Sequence, residues 1–276
     1  MKLAIITAIH GRPLMTEAFL KAMARIRKEF DVKTYAVTSE LNLQEESKGV
    51  SESDKEKCLD LLYQYNIDYV EYPNYPNRTK WNRVVQYLRY TDFTHLLILG
   101  SDDIPSSRFI EHTLTLDKYN LAGLSGLWFW GLNPRRAGFE RFGYFGIKGS
   151  LAGAGKLVGR DIVEASDYAL WSGERNSGMD ANMMNNIRDL SVAGKINLKL
   201  HRYSLLDTGG FLMDVKYGHH ISSMSPIIRH NETKPPKQPF FLDQNPYEIL
   251  PDHLPEDEVN YLKELHRIAK EKKRNK

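Results

Sequence analysis

The chain has 276 residues, 41% hydrophobic and 26% charged, a balance that supports a packed core and excludes a disordered chain. Its one cysteine, Cys58, excludes an intrachain disulfide framework and a cysteine-based zinc site. No apolar run approaches the roughly 18 residues of a membrane helix, and a net charge of +3 is too small to mark a nucleic-acid binder by itself. The expectation is a cytoplasmic α/β protein whose Met1–Thr7 segment is a first strand rather than a signal peptide.

In chain order, Leu3–Ala8 reads as a strand ending at His10-Gly11-Arg12-Pro13. Proline is favoured at the first helical position, and Leu14, Ala18, Ala22 and Ile26 then recur with helical spacing. Val32–Thr38 is a second strand. A polar loop from Ser39 to Lys57 ends in the capping-box pattern Ser53-Asp54-Lys55-Glu56, before a helix carrying Leu59, Leu62 and Tyr63. A strand at Ile67–Tyr72 and a helix marked by Trp81, Val84, Val85 and Leu88 follow. His95–Leu99 is apolar enough to be a central strand buried on both faces. Leu121–Trp130 and Phe142–Lys148 read as strands, Asp180–Leu190 as a helix, and Ile196–Leu200 and Phe211–Lys216 as strands. Six of the twelve prolines fall between Asn231 and Pro255, which marks an extended arm, and a helix with acidic start and basic end closes the chain. The expected organisation is a domain at 1–230, the arm at 231–255 and a basic helix at 256–276, with a mixed, mostly parallel sheet flanked by helices.

The glycines between Gly149 and Gly159 miss both the P-loop and the dinucleotide spacing, and neither H-E-x-x-H nor G-x-S-x-G occurs. The most informative segment is Leu96-Leu97-Ile98-Leu99-Gly100-Ser101-Asp102-Asp103-Ile104-Pro105. Two adjacent carboxylates at the C-terminal end of an apolar strand lie where open parallel sheets bind ligands, and they suit Mg²⁺ or Mn²⁺ bridging to phosphate. The competing reading is that Asp102 or Asp103 caps a helix starting near Pro105.

The stretch from Lys80-Trp81-Asn82 to Asp103 resembles the core of family 2 glycosyltransferases of the GT-A, Rossmann-like type. Ile5-Ile6-Thr7-Ala8-Ile9-His10-Gly11-Arg12-Pro13 is similar to that family's first strand and nucleotide-binding turn. Gly155–Asp161 and Gly178-Met179-Asp180 are similar to its acceptor-side segment and acidic motif. The resemblance spans about residues 1 to 225, in the family's order. Two positions depart from it: Gly100 stands where the family commonly has an aspartate, and Met179 where it has a glutamate.

The resemblance implies transfer of a sugar from a nucleotide-diphospho sugar, a UDP-sugar such as UDP-glucose, with inversion at the anomeric carbon. Asp102 and Asp103, with His220 of the pair His219-His220, are the implied Mn²⁺ or Mg²⁺ ligands. Thr7, Ala8, His10, Arg12, Lys80, Asn82, Ser101 and Asp102 are the implied donor contacts. Lys216 is a further candidate for the diphosphate or ribose. Asp180 is the candidate general base, its alternative being a first-turn carboxylate at a helix N-terminus.

For the acceptor, Trp128 and Trp130 fall on one side of a strand, followed by arginines at 135, 136 and 141. Aromatics stack on sugars and bases, and arginine pairs with phosphate. This pattern favours an anionic acceptor contacted by Trp128, Trp130, Arg135 and Arg136. One such acceptor is 5-hydroxymethylpyrimidine in double-stranded DNA, as used by phage-type enzymes of this class; core packing is the alternative for the tryptophans. Competing readings are transfer to a carbohydrate or other non-DNA acceptor, nucleotidyl transfer, and a non-catalytic nucleic-acid-binding module on a degenerate fold.

Overall fold

The computed structural model describes residues 1–39, 51–133, 138–146, 151–173, 178–217 and 245–274. Its centre is a seven-stranded sheet in the order β10-β6-β9-β4-β1-β2-β3. β1 (Leu3–Ala8), α1 (Pro13–Glu29), β2 (Val32–Thr38), α2 (Glu52–Gln64), β3 (Asp68–Glu71), α3 (Asn77–Tyr87) and β4 (His95–Ile98) alternate as expected, with β1 to β4 parallel. Beyond them come β5 (Asp103–Pro105), α4 (Ser107–Leu114), β6 (Leu121–Leu124), β7 (Gly126–Asn133), β8 (Gly138–Gly146) and β9 (Lys156–Gly159). Then follow α5 (Arg160–Ala165), α6 (Met179–Val192), β10 (Leu200–Tyr203), α7 (Leu205–Thr208), β11 (Leu212–Tyr217) and a C-terminal helix, Glu256–Arg274. β9 runs antiparallel between β4 and β6, so the sheet is mixed but mostly parallel.

Helices cover both faces. α1, α2 and the C-terminal helix pack on one, around Phe19, Met23, Leu97, Leu262 and Leu265. α3, α5 and α6 pack on the other, around Val84, Val85, Leu96, Ile162 and Met183. A second sheet, β5-β11-β7-β8, stands over the C-terminal ends of the central strands and contributes to the first of these cores.

Several boundaries differ from the sequence reading. The run Leu121–Trp130 is two strands in two sheets: the Ser125 N–H donates to the Tyr203 carbonyl as the chain leaves the large sheet, and Gly126 starts the small one. α2 starts at Glu52, capped by the Ser51 hydroxyl accepting from the Asp54 N–H, so the capping serine precedes the expected box by two residues. The last strand of the large sheet is Leu200–Tyr203 rather than Ile196–Leu200, because Ile196 is drawn into the core against α6.

The C-terminal helix is docked, not free. Val259, Leu262, Leu265 and Ala269 are buried, and Tyr261 donates through its hydroxyl to the Leu14 carbonyl at 3.1 Å. Glu258, 5% exposed, pairs with Arg25 at 2.6 Å, and Arg25 also donates to the Pro105 carbonyl at the end of β5. No helix among the described residues is long and apolar enough to cross a membrane.

Candidate active site

The acidic strand end is built by strand register. The Asp103 N–H bonds back to the Gly100 carbonyl, which turns the chain out of β4 and into β5. β5 pairs antiparallel with β11 so that Asp103 lies directly opposite Asp214, and the Val215 N–H donates to the Asp102 carbonyl. Asp102, Asp103 and Asp214 thereby offer carboxylate oxygens within 4.8 Å of one another. Like charges facing each other across a ladder are destabilising unless a cation intervenes. These aspartates do not cap the next helix: the cap of α4 is Ser106, whose hydroxyl accepts from the Phe109 N–H. The capping alternative falls.

Two cations of the chain reach this cluster. Arg12, at the start of α1, donates to Asp102 Oδ2 at 3.1 Å and to Ser101 Oγ at 2.9 Å. Lys216, two residues along β11 and so on the same side of the strand as Asp214, lies 2.6 Å from Asp214 Oδ2 and 3.9 Å from Asp102 Oδ2. Burial, followed by the negative charges of Asp214 and Asp102, pushes the Asp103 carboxyl well above the usual carboxylate range. Burial also raises Asp214, to about 6, against the pull of Lys216.

Asp214 Oδ1 is buried without a hydrogen-bond partner, an oxygen lone pair left over in an all-carboxylate site. Hard oxygen donors in a cluster still short of positive charge fit Mn²⁺ or Mg²⁺. Gly100 is part of the design. A Cβ there would lie 2.7 Å from Asp102 Oδ1 and 3.1 Å from Asp103 Oδ2, so the volume a side chain would take is filled by these carboxylates. The third carboxylate of the cluster, Asp214, is delivered by another strand, β11.

A basic corner lies at the ends of β1 and β2. Lys80, 1% exposed, donates to the Ile9 carbonyl at 2.7 Å, to Ser39 Oγ at 2.8 Å and to Asn74 Oδ1 at 3.0 Å. Ser39 Oγ also lies 2.6 Å from His10 Nδ1. Burial first, then the charges of Lys80, Lys55 and Arg12, lower the His10 imidazole to about 3, so it is neutral at ordinary pH.

Asp180 sits in the first turn of α6, behind Gly178 at the N-cap. Its Oδ1 accepts from Lys156 Nζ at 2.6 Å; the lysine side chain is 1% exposed and the aspartate's 57%. Lys156 opens β9 opposite Ile98, which places the pair at the same edge of the sheet as the acidic cluster.

Other expected contacts turn out to be framework. Lys80 spends its donors on three strand and loop ends, so it braces the turn instead of reaching outward. Asn82 donates to the Trp171 carbonyl and accepts from its N–H, which fixes the segment before α6. Trp128 and Trp130 share a face as expected, but that face is the core. Trp130 is fully buried against Tyr247 and His266, and Trp128 packs on Phe211. Both rings are buried, Trp130 in part under His266 of the C-terminal helix, which corrects the acceptor-stacking reading. Thr7 is fully buried in β1, Ala8 is partly exposed at its end, and Ser101 is buried beneath Arg12. Arg135, Arg136, His219 and His220 lie outside the described residues. Asp214 and Lys156 were absent from the expected site; the alternation Asp214-Val215-Lys216 was the one available hint of charge on a common strand face.

The sequence matches no family model and no curated protein. Solved structures resemble it distantly. A candidate nucleotide-diphospho-sugar transferase of Desulfovibrio desulfuricans G20 is 8% identical, covering 98% of this chain and 99% of its own, with a TM-score of 0.47. Glucosyl-3-phosphoglycerate synthase of Mycobacterium tuberculosis, solved with Mn²⁺, UDP and phosphoglyceric acid, is 8% identical over 91% of this chain and 78% of its own, with a TM-score of 0.45. TarS of S. aureus, residues 1–349, is 8% identical over 74% of this chain; the chain spans 58% of that structure, with a TM-score of 0.44. CTP-using transferases occur in the same set. At such identities function has to come from the residues of the site.

Proposed function

We propose that this chain is a metal-dependent glycosyltransferase that moves a sugar from a nucleotide-diphospho sugar, a UDP-sugar such as UDP-glucose, to an acceptor hydroxyl. The observation that carries the reading is the triad Asp102, Asp103 and Asp214, with its unpartnered Oδ1, at the C-terminal edge of a mostly parallel sheet. These three residues would hold Mn²⁺ or Mg²⁺, which supplies Lewis-acid neutralisation of the leaving diphosphate. Arg12 and Lys216 add fixed positive charge beside the same diphosphate. Neutral His10, with Ala8 at the end of β1, lines the nucleoside end.

In the transfer, the acceptor oxygen forms a bond to the anomeric carbon as the carbon–phosphate oxygen bond breaks. The bond pair leaves with the diphosphate. The acceptor proton passes to Asp180, a half-exposed carboxylate at the same sheet edge, and the configuration inverts. An anionic acceptor, 5-hydroxymethylpyrimidine in DNA among them, rests on Arg135 and Arg136 now that the tryptophans belong to the core. Mass spectrometry of modified DNA incubated with the enzyme and UDP-glucose tests it, and unmodified mass with active enzyme removes it.

The deciding experiment on the reaction is thermal stabilisation by UDP with Mn²⁺. The wild-type chain should shift further with both present than with either alone, and Asp102→Ala should abolish the Mn²⁺-dependent shift and reduce sugar transfer by about 10³-fold or more, the loss of most metal-derived charge stabilisation. A Mn²⁺-dependent shift that persists in Asp102→Ala, or transfer unaffected by chelation, refutes the metal-dependent reading.

A further inference from the structure

Lys156 is one of the largest fully buried side chains among the described residues, and the sequence, which places it in the acceptor-side segment Gly155–Asp161, gives it no role of its own. A buried ammonium is costly unless an anion meets it. Among the described residues Asp180 is the charged group that acts on it, through a 2.6 Å contact to Oδ1, and burial lowers the lysine from its ordinary value. A Cβ on Gly153 would lie 2.7 Å from Asp180 Oδ2 and 3.0 Å from Oδ1, so the carboxylate fits only because position 153 carries no side chain. Half-exposed carboxylates at helix starts ordinarily sample several rotamers in water. Here Oδ1 is held by Lys156 of β9, an element other than its own helix, and Oδ2 lies where a side chain at position 153 would stand.

We propose that Lys156 and Gly153 are positioning residues for Asp180, the ammonium fixing Oδ1 and the glycine leaving room for Oδ2 as it receives the acceptor proton. The inference rests on Asp180 as the base. The carboxylate then needs no reorganisation when the acceptor arrives, the property that makes a general base efficient. It also gives Lys156 a reason to be buried and charged, where a leucine would pack at lower cost.

Full-length Lys156→Met, Lys156→Arg, Gly153→Ala and Asp180→Asn variants test this with UDP-glucose and Mn²⁺. Lys156→Met and Gly153→Ala should lower kcat about 10- to 100-fold, as loss of a supporting contact typically does, with the donor KM within about twofold. Lys156→Arg should recover part of the loss. Crystal structures of the Met variant should show the Asp180 carboxylate turned from its wild-type position. An unmoved carboxylate, or wild-type kcat in both variants while Asp180→Asn is inactive, overturns the positioning role and leaves the base intact. Normal turnover in Asp180→Asn removes the base reading itself. If no UDP-sugar turns over, the crystal structure still decides where the carboxylate is held.

Discussion

Two corners of one sheet edge gather opposite kinds of titratable group. At the end of β4, three carboxylates meet two cations, Arg12 and Lys216. At the ends of β1 and β2, Lys80 and His10 converge on Ser39, with Lys55 and Arg12 close enough to act on the histidine. Arg12 belongs to both. The acidic corner is deficient in positive charge and invites a divalent ion. The basic corner engages its lysine with three oxygens and keeps its imidazole uncharged, so it offers polar contacts. A metal-diphosphate at one corner and a nucleoside at the other would complement that division.

The largest effect should come from breaking the acidic corner at the residue that its sequence does not advertise. Asp214→Asn removes the third carboxylate while Asp102 and Asp103 remain. Mn²⁺ affinity, measured by titration calorimetry on the full chain, should fall about 10- to 100-fold, with transfer falling in step. Unchanged affinity would mean that the strand-end pair suffices and that Asp214 is only a partner for Lys216.

Breaking the basic corner should cost less. Lys80→Met leaves the Ile9 carbonyl, Ser39 and Asn74 without their shared donor, and three chain ends lose their common tie. We expect a melting temperature lower by several degrees, from unsatisfied buried oxygens of about 1–3 kcal/mol each at most. UDP should bind about tenfold more weakly, with Mn²⁺ affinity in the absence of nucleotide retained. Equal loss of both affinities would show that the two corners are one cooperative unit.

How much of this was legible beforehand follows from what local sequence can encode. β1, β2 and β4 announce themselves as apolar runs, α1 by Pro13 and its periodic Leu14, Ala18, Ala22 and Ile26, and Asp102-Asp103 as adjacent carboxylates after a buried strand. Asp214 is silent, because Leu212-Met213-Asp214-Val215-Lys216 is an ordinary alternating strand until register sets it opposite Asp103. Trp128 and Trp130 read as a stacking platform because nothing in their own strand says that Phe211, Tyr247 and His266 will arrive to pack on them. Lys156 is hidden in Gly155-Lys156-Leu157-Val158, where its burial depends on β4 and its counter-ion on α6. The elements were local facts, and the missed site residues were pairings between distant ones.

The smallest effect, and the sharpest test of the contrast, is in pH. His10 is lowered to about 3 in the folded chain, so between its ordinary value near 6.5 and about 3 the unfolded chain binds a proton that the folded chain refuses. Stability therefore falls as pH drops through that window. Asp103 is raised, so the folded chain takes up a proton before the unfolded chain does, and its contribution grows as pH falls through the raised value. Without divalent ions, His10→Gln should lose less melting temperature than wild type between about pH 7 and pH 4.5, by a few degrees. Asp103→Asn should differ from wild type in the opposite sense, its advantage largest at pH 8 and shrinking on acidification. Saturating Mn²⁺ should erase the Asp103→Asn advantage, since a bound cation removes the repulsion that Asn relieves, and should leave the His10→Gln difference in place. Two variants whose pH profiles shift in the same direction would mean that burial does not hold both the His10 imidazole and the Asp103 carboxyl in their neutral forms.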